Sequence, residues 1–130
     1  MNLNQVTLPV TNLKKCIDFY LKMDFIQIVD SPHYARFSCP EGESTFSLSL
    51  EKESFKNGAT IYFESKNLDS WVKRLQTRGL KFEQLPTAQS YLWTEAIIKD
   101  PSGNKIKLYH AGVNRLNPPW QVKITLENQK

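Results

Sequence analysis

The sequence predicts an α+β protein of two βαβββ modules, forming a curved mixed sheet around a cleft with the helices packed on the outside. Three observations predict it. An apolar stripe of helical spacing occurs twice, 55 positions apart. A short alternating strand precedes each stripe. Three further alternating segments, separated by turn residues, follow each one.

The helical stripes are Leu13, Cys16, Ile17, Tyr20 and then Leu68, Trp71, Val72, Leu75. The i, i+3, i+4, i+7 spacing places four side chains on one helix face, the face to be buried. Asn12 and Asn67 stand just before the stripes, where an amide oxygen can cap the free N–H groups of a first turn. Asp24-Phe25 and Gly79-Leu80 follow them, and Gly79 suits a left-handed helix end. Before the helices, Val6, Leu8, Val10 alternate with Gln5, Thr7, Pro9, and Ile61, Phe63 alternate with Thr60, Tyr62, Glu64. Period two with one apolar face means a strand packed on one side. The remaining strands are expected over 25–30, 33–39, 44–51, 81–84, 92–100 and 105–110. Ser31-Pro32, Pro40-Glu41-Gly42 and Asp100-Pro101-Ser102-Gly103-Asn104 punctuate them. One domain over 1–112 is expected, with modules at about 3–51 and 59–112 and an extended C-terminal tail over 113–130.

The chain has 130 residues, 40% hydrophobic and 23% charged, which is the composition of an ordinary globular domain. No apolar run approaches the ~20 residues of a membrane span. No basic stretch leads into an apolar run at the N-terminus, so no signal peptide is expected and the cytoplasm is the default location. The net charge of +4 comes from basic residues scattered among acidic ones. That distribution argues for a solvated surface rather than nucleic-acid or membrane binding. Cys16 and Cys39 lack metal-type spacing and read as reduced thiols. In the tail, Pro118-Pro119 enforces an extended path, Trp120 offers an apolar anchor, and Glu127 to Lys130 are expected to fray.

The later strands show which way the faces point. Phe46, Leu48, Leu50 alternate with Thr45, Ser47, Ser49; Ala35, Phe37 with Tyr34, Arg36, Ser38; Ile106, Leu108 with Lys105, Lys107, Tyr109. If the apolar faces meet the helices, the polar and aromatic faces look away from them and line a cleft, the default place for a ligand.

The segments QVTLPVTNL, CIDFY and DPSGNKI, in this order and separation, resemble the vicinal-oxygen-chelate superfamily, which includes glyoxalases, bleomycin-resistance proteins and extradiol dioxygenases. The resemblance covers roughly residues 3–112. It implies the same two-module fold, a ligand cleft and a homodimer. In most of the related enzymes a divalent metal is chelated by substrate oxygens. The resemblance carries the metal positions onto Gln5, Ser47, Thr60 and Lys107. Glutamine serves in some glyoxalases, but two hydroxyls and an ammonium are poor company for a cation. The expected cofactor is therefore none, and these four residues are read as ligand contacts.

Tyr34, Tyr62, Trp93 and Tyr109 share the cleft parity and either stack on a flat ligand or pack on one another. Lys107 is either an anion binder or a solvated strand lysine. Glu95 and Glu64 are the candidate general bases, with a surface carboxylate paired to Lys or Arg as the plainer reading. The loop from Pro86 to Ser90 is a candidate rim over the site. Taken together, these residues imply a small, aromatic or anionic molecule bound without a strong metal site. The alternative is a metal-dependent lyase, isomerase or ring-cleaving dioxygenase with an atypical site.

Overall fold

A computed structural model describes residues 1–53 and 55–122. Eleven elements follow in order: β1 (Gln5–Val10), α1 (Leu13–Lys22), β2 (Ile26–Ser31), β3 (Tyr34–Ser38), β4 (Thr45–Leu50), β5 (Thr60–Glu64), α2 (Leu68–Thr77), β6 (Gln84–Ala88), β7 (Thr94–Lys99), β8 (Lys105–His110) and a 3-10 turn at Gly112–Asn114. The two βαβββ modules form two separate, unclosed four-stranded sheets, ordered β1-β4-β3-β2 and β5-β8-β7-β6. In each, the first strand runs parallel to the last and the remaining pairs are antiparallel.

Each helix buries most of the stripe its spacing predicts, with Ile17 and Trp71 only half-buried. Leu13, Cys16, Phe19 and Tyr20 are buried on α1, and Leu68, Val72 and Leu75 on α2. The caps differ. The Lys15 N–H donates to the Asn12 side chain at 3.0 Å, whereas the Asn67 side chain makes no cap bond. Instead the Asn67 N–H donates to Ser65 Oγ, and the Ser70 hydroxyl donates to the Asn67 carbonyl. Gly79 takes the expected left-handed conformation, and Asp24 takes it at the end of α1.

The largest departure is β6. It covers Gln84–Ala88 rather than the expected 81–84, so Pro86, Thr87 and Ala88 belong to a strand, not to a rim loop. Proline is tolerated there because β6 is an edge strand and its register slips between Gln84 and Thr87. The tail begins with a 3-10 turn rather than an extended path, and Trp120 is 57% exposed rather than buried as an anchor. The fraying expected of Glu127 to Lys130 lies outside the described residues.

Both modules share one core. Tyr20, Phe37, Leu8, Leu48, Leu75, Ile98, Ile106 and Leu108 are almost fully buried, each such apolar side chain contributing about 1.5–3 kcal/mol. At the junction Phe25 packs on Phe63 with ring centroids 4.5 Å apart and meets Trp71 edge-on. A polar latch closes one side of it. The buried Asp100 accepts from the Tyr20 hydroxyl at 2.7 Å and from Ser102 N–H, Asn104 N–H and the Asn104 amide at 2.9 Å. The Asn104 amide also donates to the Pro9 carbonyl.

Candidate functional site

The parallel β1–β4 and antiparallel β3–β4 ladders set Thr7 and Arg36 beside Ser47. Gln5, Tyr34, Arg36 and Ser47 therefore share the polar face of the first sheet. The Gln5 amide donates to Ser47 Oγ at 2.7 Å, Tyr34 and Ser47 share a hydroxyl–hydroxyl hydrogen bond, and Arg36 Nε donates to the Tyr34 oxygen at 3.0 Å. Thr45 donates to the Gln5 side-chain oxygen. The Ser47 hydrogen bond, opposed by burial and helped by the Arg36 guanidinium, holds the Tyr34 phenol below its ordinary pKa.

The polar face of the second sheet carries a different arrangement. Glu95 is 2% exposed, and its Oε1 accepts from Lys107 Nζ at 3.1 Å and from the Tyr91 hydroxyl at 2.6 Å. Burial disfavours the Lys107 ammonium, but the hydrogen bond and charge of Glu95 outweigh it and raise the pKa, so Lys107 is cationic at neutral pH. Its Nζ lies 5.4 Å from the Tyr62 ring centroid. Trp93 and Tyr109 stack at 4.8 Å, and Tyr62 sets its edge against both. The aromatics thus pack on one another, yet Tyr62 stays 43% exposed and presents a ring to any ligand.

Tyr91 was not singled out by strand parity. It reaches Glu95 because the chain turns tightly at Gln89–Trp93, with Leu92 at a positive φ of 68°. Only that turn decides which residue returns over the sheet. Glu64 is engaged by the backbone at the start of the tail. Its Oε2 accepts the Ala111 and Gly112 N–H groups at 2.7 and 3.0 Å, and Arg115 lies beside it. Burial raises its pKa, but those amides and Arg115 outweigh this and lower it. Glu64 thereby fixes the start of the tail. Thr60 sits opposite Lys105 at the start of β5.

The candidate residues thus divide between two faces, and among the described residues no hydrogen bond joins the Ser47 group to the Lys107 group. A cavity of about 650 Å³ opens instead at the module junction. It takes in Gln5, Tyr62 and Glu64, but not Tyr34, Ser47, Thr60, Trp93, Glu95, Lys107 or Tyr109.

The donor set does not fit a divalent metal. At the positions implied by the resemblance, Ser47 is engaged by Gln5 and Tyr34, and Lys107 offers only N–H donors. A set drawn from Glu64, Glu95 and His110 fares no better. Glu64 and Glu95 are engaged elsewhere, and His110 is exposed on the other face of β8. Among the described residues no group of three His, Cys, Asp or Glu side chains is placed to hold a metal ion.

No curated protein matches the chain significantly. Among solved structures, a glyoxalase/bleomycin resistance protein/dioxygenase superfamily member from Sphaerobacter thermophilus DSM 20745 is 22% identical, with a TM-score of 0.71 over 85% of this chain and 97% of the other. Lactoylglutathione lyase from Agrobacterium tumefaciens is 15% identical, with a TM-score of 0.73 over 89% and 96%. A structure described as a conserved domain protein is 27% identical, with a TM-score of 0.71 over 85% and 99%. These are likenesses of fold. The profile of the Glyoxalase/Bleomycin resistance protein/Dioxygenase superfamily matches residues 2–108, and the chain belongs to that superfamily.

Proposed function

We propose that the chain binds a small aromatic anion on the polar face of the second sheet, without a divalent metal. The observation that carries this reading is the Lys107 ammonium. It is held by the buried Glu95, makes no other hydrogen bond among the described residues, and lies beside the exposed ring of Tyr62. A carboxylate takes the free N–H groups in charge-assisted hydrogen bonds, and its ring stacks on the Tyr62, Trp93 and Tyr109 cluster. Lys105, two residues earlier on the same face, adds a second cation. In this reading Thr60 adds a hydroxyl contact from the same sheet face, while Gln5 and Tyr34, which cover the buried Ser47, supply amide and hydroxyl contacts from the first sheet. The working unit is a cytoplasmic homodimer whose copies cover each other's polar faces, with no nucleic-acid or membrane partner. No helix among the described residues is long and apolar enough to cross a membrane.

The test is thermal stabilisation by 1-naphthoate against the isosteric 1-naphthalenemethanol, on untagged protein purified without chelators. The acid is expected to raise Tm more than the alcohol, with Lys107→Arg weakening the effect and Tyr62→Ala abolishing it. Equal shifts for both compounds, or none, would overturn the anion reading. One equivalent of divalent metal per chain, measured by mass spectrometry, would overturn the metal-free reading.

A further inference from the structure

The two modules repeat, but the contacts between them do not. On one side the turn Asp100–Asn104 of the second module is seated against β1 and α1 of the first. Its Ser102 Oγ accepts the Thr11 N–H at 2.9 Å and lies 3.2 Å from Cys16 Sγ, Asp100 takes the Tyr20 hydroxyl, and Asn104 reaches Pro9. Shifting Pro9, Cys16 and Tyr20 by the 55-residue repeat gives Glu64, Trp71 and Leu75. The turn that should meet these is Cys39–Ser44. It is closed like its counterpart, by a Cys39 N–H to Ser44 carbonyl bond matching Asp100 N–H to Asn104, and Gly42 and Gly103 share the left-handed conformation.

Among the described residues this second contact is not made. Cys39 stands where Asp100 supplies the acceptor, and Trp71 stands where Cys16 leaves room. Among the described residues no hydrogen bond joins the Cys39–Ser44 turn to β5 or α2. The cavity of about 650 Å³ occupies the gap, with Cys39, Pro40, Glu41 and Ser44 on one wall and Glu64, Ser70 and Trp71 on the other. Its volume lies within the roughly 300–1,000 Å³ of small-molecule sites. Its floor consists of Phe25, Phe46 and Phe63, beside the half-buried Val6 and Ile61.

We infer that this junction cavity is a second ligand site, which borders the polar sheet faces at Gln5 and Tyr62 but excludes Lys107, Glu95, Trp93 and Tyr109, and that it takes a flat aromatic amine. The rings lie between Phe63 and Trp71. The charges around the cavity select the amine. Asp24 is bound by Arg74 and Arg78, and Glu64 by backbone amides and Arg115. Glu41 is the lining carboxylate that has no ion-pair partner among the described residues, so it is free to receive an ammonium. An aromatic acid would instead meet three carboxylates and an Arg74 already engaged by Asp24.

Calorimetric titration with 1-naphthylmethylamine and with 1-naphthalenemethanol tests the assignment. The amine is expected to bind at least tenfold more tightly than the alcohol. Ser70→Phe, which fills the cavity from an exposed helix position, is expected to weaken both at least tenfold. Glu41→Gln, on an exposed turn and harmless to folding, is expected to equalise the two. Lys107→Arg is expected to leave amine binding unchanged. No binding of the amine, unchanged binding in both cavity variants, or loss in Lys107→Arg would overturn it, the last by placing the ligand on the sheet face.

Discussion

Lys107→Met removes one partner from a nearly dry ion pair. Glu95 is 2% exposed and the Lys107 side chain 16%, so the pair has little water to fall back on. Breaking a buried pair from one side costs about 3–5 kcal/mol, because the other charge stays behind uncompensated. Here Tyr91 still donates to Glu95, and the vacated lysine position lets some water approach. About 3 kcal/mol is therefore expected. At about 4 °C per kcal/mol for a chain of this size, Tm falls by roughly 12 °C. Lys107→Met/Glu95→Met removes both charges in similar volume and is expected to return within about 1 kcal/mol of the wild type. Urea unfolding of the wild type, both single variants and the double variant closes the cycle. A single variant losing less than about 1 kcal/mol, or a double variant losing the sum of the singles, would refute the idea that desolvation dominates this site. Lys107 has a raised pKa, so its contribution is complete below the ordinary lysine value of about 10.4 and is lost as pH rises through the folded one.

Three further predictions concern the frame around the site. Asp100→Ala strips four hydrogen bonds and strands the fully buried Tyr20 hydroxyl, so about 4 kcal/mol is expected; Tyr20→Phe leaves Asp100 three donors and costs about 1.5 kcal/mol, both read from urea midpoints. Asn12→Ala is expected to cost about 1 kcal/mol and Asn67→Ala only a few tenths, because only the first side chain caps its helix; equal losses would contradict this. Burial raises the Asp24 pKa, but hydrogen bonds and charge from Arg78 and Arg74 outweigh it and hold the carboxyl below its usual range. Its contribution is complete above about pH 3.9 and is lost as pH falls through the lowered folded value. Asp24→Asn tolerates the left-handed backbone and removes only the charge, so its Tm is expected to fall less steeply than that of the wild type between pH 5 and 2.5.

Much of the architecture was legible in periodicity. Leu13, Cys16 and Tyr20 and their partners Leu68, Val72 and Leu75 are buried where the helical spacing puts them, because a stripe can be hidden only on one side of a helix. Strand alternation likewise placed Ser47, Lys107, Tyr62 and Glu95 on polar faces, because successive side chains must point to opposite sides. Strand edges were less legible. Pro86 argued for a loop, and only the neighbouring strands reveal that β6 lies at an edge where a missing N–H is tolerated. Asn67 has the composition of a cap, but the Ser65 and Ser70 hydroxyls compete for its backbone.

The sequence by itself determined the two modules, their helix faces and the polar side of each strand, because local geometry repeats every 3.6 or two residues and neighbours along the chain carry the signal. Only the tertiary structure decided what those faces meet. Glu95 finds Lys107 and Tyr91, Glu64 finds the amides of Ala111 and Gly112, and the Cys39–Ser44 turn stands off from Trp71 where its repeat counterpart closes on Cys16. These outcomes rest on side-chain volume and on charge in a desolvated interior, between residues far apart in the chain, and no local period encodes them.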